Sequence, residues 1–290
     1  LAQFLLCANP SAEGAACGHC QGCRLFTAGS HPDLHVVQPE AVYKSSGTLI
    51  ARYALRYPPA EKSKESKDST AIRIDQIRSL IEAAHTRPQI GACTVMLLSP
   101  ADSMNVNAAN SLLKLLEEPP PDSYLILVAD HPARLPATIR SRCAQMEFRI
   151  PPAEDALAWL QTQGLSGANT GLLLELAGGA PLAALALAES GFLDQRTALL
   201  DDMEKLASGQ GDPLACAARW KPLGAERCLL WLQGWLNDLI VTAMQVGGAR
   251  LHNPDLGARL QAVEKRLDLK HLFQFSEGVA RGRALLGGPL

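Results

Sequence analysis

The stretch that decides the fold is NAANSLLKLLEEPPPDSYLILVADHPARLPATIRSRC, Asn107 to Cys143. Its first part places Ala109, Leu112, Leu113 and Leu116 on one helical face. Pro119, Pro120 and Pro121 then stop the helix, because proline has no N–H to donate and its ring clashes with the preceding turn. SYLILVA (Ser123–Ala129) is an apolar run of strand length. A turn with Pro132 follows, and Pro136 is suited to open a short helix.

The same alternation continues outward. TVMLLS (Thr94–Ser99) is a continuous apolar run, the pattern of a central parallel strand covered on both faces. Before it, IDQIRSLIEAAHTRP predicts a helix with Asp75 as N-cap, Ile77, Leu80, Ile81 and Ala84 inward, and Pro88 past its end. DLHVV (Asp33–Val37) and AQMEF (Ala144–Phe148) read as two further strands. Strands alternating with helices imply an α/β domain with a parallel sheet. Between Gln38 and Thr70 the chain is polar and turn-rich, and its EKSKESKDS (Glu61–Ser69) reads as a solvated loop. Beyond Pro151 the pattern is helical throughout. AEDALAWLQTQG and TGLLLELAGGAPLAALALAES form a small group broken at Gly-Gly-Ala-Pro, and the remainder carries amphipathic segments. Trp231, Leu232, Trp235, Leu236 and Leu239 are read as core.

The 290 residues allow two or three domains, and 47% hydrophobic with 19% charged residues describes a globular chain. A net charge of -2 excludes a generally basic, histone-like binder but not a local basic face. No apolar run approaches the roughly 20 residues needed to cross a bilayer, so no membrane role is expected. Leu1 is not an initiator Met and LAQFLLC reads like the middle of a buried helix, so further chain is expected upstream.

Eight cysteines divide into two groups. Cys93, Cys143, Cys216 and Cys228 are scattered and read as core residues in a reducing cytoplasm. Cys7, Cys17, Cys20 and Cys23 form C-x9-C-x2-C-x2-C, with Gly18 and Gly22 allowing tight turns; His19, between two of them, reads as a spacer, with replacement of one cysteine as the alternative. Four thiolates match the tetrahedral demand of structural zinc and leave no open coordination position. An iron–sulfur cluster uses the same kind of spacing, and sequence alone does not separate the two. A thioredoxin-like reading lacks its strand-to-helix context.

The helix NSLLKLLEEPP, the strand after it, and then LPATIRSRC resemble, in order and spacing, the clamp-loader branch of the AAA+ ATPases. CGHCQGC followed by AGSHPDL is similar to the same family, and the resemblance covers Leu1 to Phe148. It implies an N-terminally incomplete, AAA+-like α/β P-loop NTPase domain with a zinc knuckle over 1-149, a helical lid over 150-190 and an all-α collar over 191-290. Active subunits of the family follow the strand equivalent to TVMLLS with an Asp-Glu pair that holds Mg²⁺ and polarises the attacking water. Here Ser99 and Pro100 stand in those places, and Asp102 comes too late and reads as a helix N-cap. The departure points away from an ATP-hydrolysing gamma/tau-type subunit and toward the family's rigid, non-hydrolysing member.

The resemblance further implies that Ser141, Arg142 and Cys143 form an SRC motif. Its arginine acts in trans on ATP bound by a neighbouring subunit rather than by this chain, a role that suits a planar, permanently charged guanidinium. Arg140 is the local competitor, and Arg134 and Arg149 read as solvated. Implied partners are delta and gamma/tau subunits and, through the complex, the sliding clamp and primed DNA. Two rivals stand beside this reading: a gamma/tau-type ATPase, and a zinc-dependent nucleic-acid-binding module outside any loader.

Overall fold

The computed structural model describes residues 1–60, 68–245, 248 and 251–287. The chain divides into two compact units, Leu1–Glu147 and Phe148–Leu290.

The first unit contains, in chain order, α1 (Ala2–Leu5), α2 (Gln21–Thr27), β1 (Leu34–Val37), α3 (Glu40–Ser45), α4 (Leu49–Ala54), α5 (Ile74–Ala84), β2 (Thr94–Leu98), α6 (Val106–Glu117), β3 (Ser123–Leu127) and α7 (Ala137–Arg140). The three strands form one parallel sheet in the order β1-β2-β3. Leu34 lies opposite Val95 and Val37 opposite Leu98, while Thr94 and Leu98 meet Ser123 and Leu127 on the other side. All five residues of β2 are buried, as a strand covered on both faces must be. Side chains alternate across the sheet, so Met96 and Leu98 join Val37, Ile77, Leu80 and Leu112 in one core. Val95 and Leu97 join Leu34, Val36, Phe26 and Tyr53 in a second core on the opposite face.

Four sequence expectations change here. The 38–60 part of the segment read as polar and turn-rich carries two helices, and α3 and α4 bury Tyr43, Ala51, Tyr53 and Ala54 in the second core. Buried Gln76 binds it further, donating to the Gln38 and Tyr57 carbonyls at 3.0 and 2.8 Å. Most of the Glu61–Ser69 stretch lies outside the described residues. Helix α5 begins two residues earlier than expected, with Arg73 in place of Asp75 as N-cap; the Arg73 backbone N–H bonds Gln76 Oε1 at 3.1 Å, and Asp75 instead accepts the Ala60 N–H. Ala144–Phe148 is no strand but irregular and exposed, with Phe148 89% accessible. A strand needs a neighbour for its N–H and C=O groups, and among the described residues β3 pairs only with β2. In α6 the face is rotated slightly from expectation: Ala108, Ala109, Leu112 and Leu115 are buried, while Leu113 and Leu116 are half-buried.

The second unit is helical. It comprises α8 (Ala153–Thr162), α9 (Thr170–Leu176), α10 (Pro181–Glu189), α11 (Phe192–Ala207), α12 (Pro213–Trp220), α13 (Ala225–Ala243), α14 (Gly257–Glu264) and α15 (Leu269–Gly287). Gly178 and Gly179, at φ of 65° and 86°, turn the chain between α9 and α10, and Pro181 opens the new helix. Ala156, Leu160, Leu173, Leu174, Ala184 and Phe192 make one core. A larger one includes Leu199, Leu200, Leu232, Trp235, Leu236, Leu239 and Leu260, so the tryptophan–leucine series is core as expected. Phe192 meets Trp231 edge to face at 5.1 Å and ties the two together.

A buried polar network also holds this unit, and it has no sequence signature. Arg196 is 2% exposed and is neutralised by Asp255, with Asn253 Oδ1 accepting from its Nε at 3.0 Å. Asp238 in α13 accepts the backbone N–H groups of His252 and Asn253 at 2.7 and 2.9 Å and the Asn253 side chain at 2.7 Å. A buried charge persists only when paired in this way. No single helix among the described residues is long and apolar enough to cross a membrane.

The misread 38–60 region supplies a stability test. Tyr53 is fully buried, and its hydroxyl accepts the His31 N–H at 3.1 Å and lies 3.1 and 3.0 Å from the Leu25 and Phe26 carbonyls. Tyr53→Phe should cost about 1–3 kcal/mol in urea unfolding, because it strands a buried N–H. Leu55→Ala on the adjacent exposed surface should stay within about 0.5 kcal/mol.

Candidate metal centre and exposed arginine

Three short pieces of chain bring the cysteines together. Cys7 follows α1, Cys17 and Cys20 flank a turn, and Cys23 lies inside α2. Gly18 has φ of 77°, which allows that turn. Cys20 is the N-cap of α2, its sulfur accepting the Cys23 N–H at 3.4 Å. Gly22 serves a different purpose from the one expected. It lies within α2, where an added Cβ would stand 2.4 Å from the Leu6 carbonyl oxygen, so its hydrogen lets α2 pack against the chain beside Cys7.

The four sulfurs lie within 4.8 Å of one another. Cys7 Sγ–Cys20 Sγ and Cys17 Sγ–Cys23 Sγ are both 3.9 Å. Sulfurs bound tetrahedrally at about 2.3 Å from a zinc ion stand about 3.8 Å apart, so the spacing fits. Backbone N–H groups of Cys17, Cys20 and Cys23 reach the sulfurs of Cys7, Cys17 and Cys20 at 3.3–3.4 Å. Such donors favour thiolate. The N–H groups of Cys23 and Ala8 bring the Cys20 thiol down to about 6, and those of His19 and Cys20 lower Cys17. Burial, followed by the neighbouring Cys20 sulfur, pushes Cys23 up to about 12. Four such sulfurs are all anionic only beside a cation that offsets their repulsion and desolvation. His19 is outside the set, with Nδ1 2.8 Å from the Cys17 carbonyl oxygen, as expected of a spacer.

The knuckle is tied into the sheet. Cys93, just before β2, directs its thiol to the Leu5 carbonyl at 3.3 Å. Burial raises the Asp33 carboxyl, but the N–H groups of Gln89, Gly91 and Ile90, at 2.6–2.9 Å, outweigh it and hold the group below its usual range. Neither tie is visible in sequence, because the partners are more than 50 residues apart. Of the scattered cysteines, Cys93, Cys216 and Cys228 are buried and Cys143 is half-buried.

At the far end of β2, Ser99 and Pro100 cross the C-terminal edge of the sheet. The Ser99 N–H bonds the Val37 carbonyl at 3.1 Å, and Ala101 N–H bonds the Val128 carbonyl at 2.6 Å. Asp102 is not a helix N-cap: its Oδ2 accepts the His131 N–H at 3.3 Å, and Asn105 caps α6 through the Ala108 N–H at 2.8 Å. The position nearest the strand end therefore carries a serine hydroxyl and a proline ring, neither of which binds a divalent cation as paired carboxylates do.

Arg142 follows α7, after Ser141 as C-cap. Its Nε and Nη2 donate to Glu117 Oε1 at 2.9 and 2.6 Å, and its Nη1 donates to the Thr138 carbonyl at 2.9 Å. The side chain remains 37% exposed. Cys143 packs against the core containing Ile139 and Leu135 and anchors the turn. Arg140 points elsewhere, half-buried, with an enclosed Nε that has no hydrogen-bond partner. Of the two arginines, Arg142 is the one presented to solvent with a defined orientation. Its partner Glu117 was not singled out in sequence; its place in LLKLLEEPP gave no sign of a contact 25 residues away.

Comparison with known proteins gives concordant results. A family profile described as "DNA polymerase III, delta subunit" matches residues 1–152, and another, "DNA polymerase III, delta subunit, C terminal", matches residues 190–287. DNA polymerase III subunit delta' of Pseudomonas aeruginosa is 37% identical over 233 residues, covering 80% of this chain and 63% of that protein. The Escherichia coli K12 protein of the same name is 31% identical over 275 residues, covering 91% of this chain and 74% of its own length. The chain thus spans a little under two-thirds of the Pseudomonas relative. A solved gamma-subunit-related protein of Thermotoga maritima aligns over 86% of this chain and 93% of its own at 18% identity, but its TM-score of 0.38 is too low to bear on the fold. Because one profile covers more than half of the chain and the Escherichia coli relative matches through most of both lengths, the chain belongs to the DNA polymerase III delta'-subunit family.

Proposed function

We propose that this chain is the non-hydrolysing stator subunit of a bacterial DNA polymerase III clamp loader, a cytoplasmic ring that places the sliding clamp on primed DNA. In this reading the first unit is an AAA+-like domain, 150–190 is the lid, and 191–290 is a collar that meets delta and gamma/tau partners. The second unit has two hydrophobic cores, one built mainly from 150–190 with Phe192 added and one wholly within 191–290, and this supports that division. The observation that carries the function is the end of β2, where Ser99 and Pro100 replace a magnesium-binding acid pair while an oriented Arg142 stands exposed after α7. A subunit without its own metal-binding acids still contributes to phosphoryl transfer by placing a guanidinium at a neighbour's γ-phosphate, where charge develops as the bond breaks.

Zinc is the metal we assign to Cys7, Cys17, Cys20 and Cys23. The sulfur spacing and a closed, four-thiolate donor set support it. Bound there, the ion would cross-link the chain just after α1 to α2 and the turn before it, and supply folding energy rather than chemistry. Purified protein should carry one zinc per chain by elemental analysis; iron, or well under one zinc, would overturn the assignment. Gly22→Ala should lower zinc retention against a chelator, because its Cβ meets the Leu6 carbonyl and pushes Cys7 away from the other three ligands.

The function itself is tested in two steps. Isolated protein should show no ATP turnover above background, and turnover that persists through a repeat preparation would favour a gamma/tau-type ATPase. In the assembled loader, Arg142→Ala should cause partial loss of DNA- and clamp-stimulated hydrolysis and a larger fall in completed loading, with the ring still formed. Arginines supplied in trans are worth roughly 10³–10⁵ at a single site, and only one of several sites would lose its arginine. Arg140→Ala should be milder. Wild-type rates in the Arg142→Ala ring would remove the finger.

A further inference from the structure

Arg142 has five N–H groups. Glu117 Oε1 takes one from Nε and one from Nη2, and the Thr138 carbonyl takes one from Nη1. One hydrogen on each terminal nitrogen stays uncommitted. Both holding groups sit on fixed elements. Glu117 is the last residue of α6, whose Ala108, Ala109, Leu112 and Leu115 are buried, and Thr138 belongs to α7, anchored by Ile139. The pair is open to solvent, with Glu117 51% exposed, so it contributes little to folding stability. What it does accomplish is to suspend one long, rotamer-rich side chain between two helices.

We propose that Glu117 is a positioning residue for Arg142. Its carboxylate fixes the guanidinium plane, so that the two uncommitted N–H groups meet a phosphate on the neighbouring subunit without a rotamer search. The proposal rests on the trans role of Arg142 described above. Orientation of a catalytic group is worth a great deal, and misplacement by about 1 Å can cost up to roughly 10²-fold.

The test uses the assembled loader with wild-type partners. Glu117→Ala should leave ring formation and thermal midpoint unchanged while lowering stimulated hydrolysis, about two- to fivefold and less than Arg142→Ala, because only one site is affected. The fall should appear in kcat with KM for ATP unchanged. Glu117→Gln, which keeps an Oε1 acceptor, should recover most of the rate. In an Arg142→Ala background, Glu117→Ala should cause no further loss. If Arg142→Ala lowers the rate but Glu117→Ala does not, the positioning role is wrong while the trans arginine stands. A rise in rate with Glu117→Ala would make the carboxylate a restraint and would equally overturn the proposal. Wild-type rates in both variants would remove the arginine and its positioning residue together.

Discussion

Burial of β2 on both faces is the constraint on which the first unit depends. Thr94–Leu98 has no solvent face, so its alternate side chains must each find a layer of helices. Met96 and Leu98 hold α5 and α6 on one side, and Val95 and Leu97 hold the α1, α2 and α4 side on the other. Two candidate sites hang from its ends. At the start, Cys93 bonds the Leu5 carbonyl and ties the sheet to the helix that leads into the cysteine knuckle. At the finish, Ser99 and Pro100 occupy the C-terminal edge of the sheet, where ligands of open α/β folds bind.

The cysteine centre and the arginine turn solve related problems. Each takes flexible side chains from separate short elements and fixes them by contacts that add up locally. In the knuckle, close approach at Gly22 and N–H···S bonds gather four sulfurs that repel one another unless a cation binds. In the turn, Cys143 anchors the backbone and Glu117 and Thr138 hold the guanidinium. The second unit does the same on a larger scale, where Arg196, Asn253, Asp238 and Asp255 join residues from distant parts of the chain in a buried polar network.

Much of this was readable beforehand because it rests on local signals. Apolar runs located all three paired strands, a proline cluster located the end of α6, Pro136 located the start of α7, and cysteine spacing located the knuckle. What sequence misplaced depended on tertiary partners. Tyr43 and Tyr53 read as parts of a polar segment because their burial is decided by a sheet face that local composition does not reveal. AQMEF has strand composition but no strand edge beside it among the described residues. Asp75 looks like an N-cap, yet Gln76 and Arg73 form the cap. Glu117 and the Arg196 network were missed for the same reason: their partners lie far along the chain.

The proposed function makes this chain a non-hydrolysing member of a clamp-loading ring. The most direct measurement is clamp loading onto primed DNA by a loader reconstituted with and without it. The account predicts that omission abolishes efficient loading and that adding the subunit back restores it in proportion to ring assembly. Loading at the full rate in its absence would contradict the account.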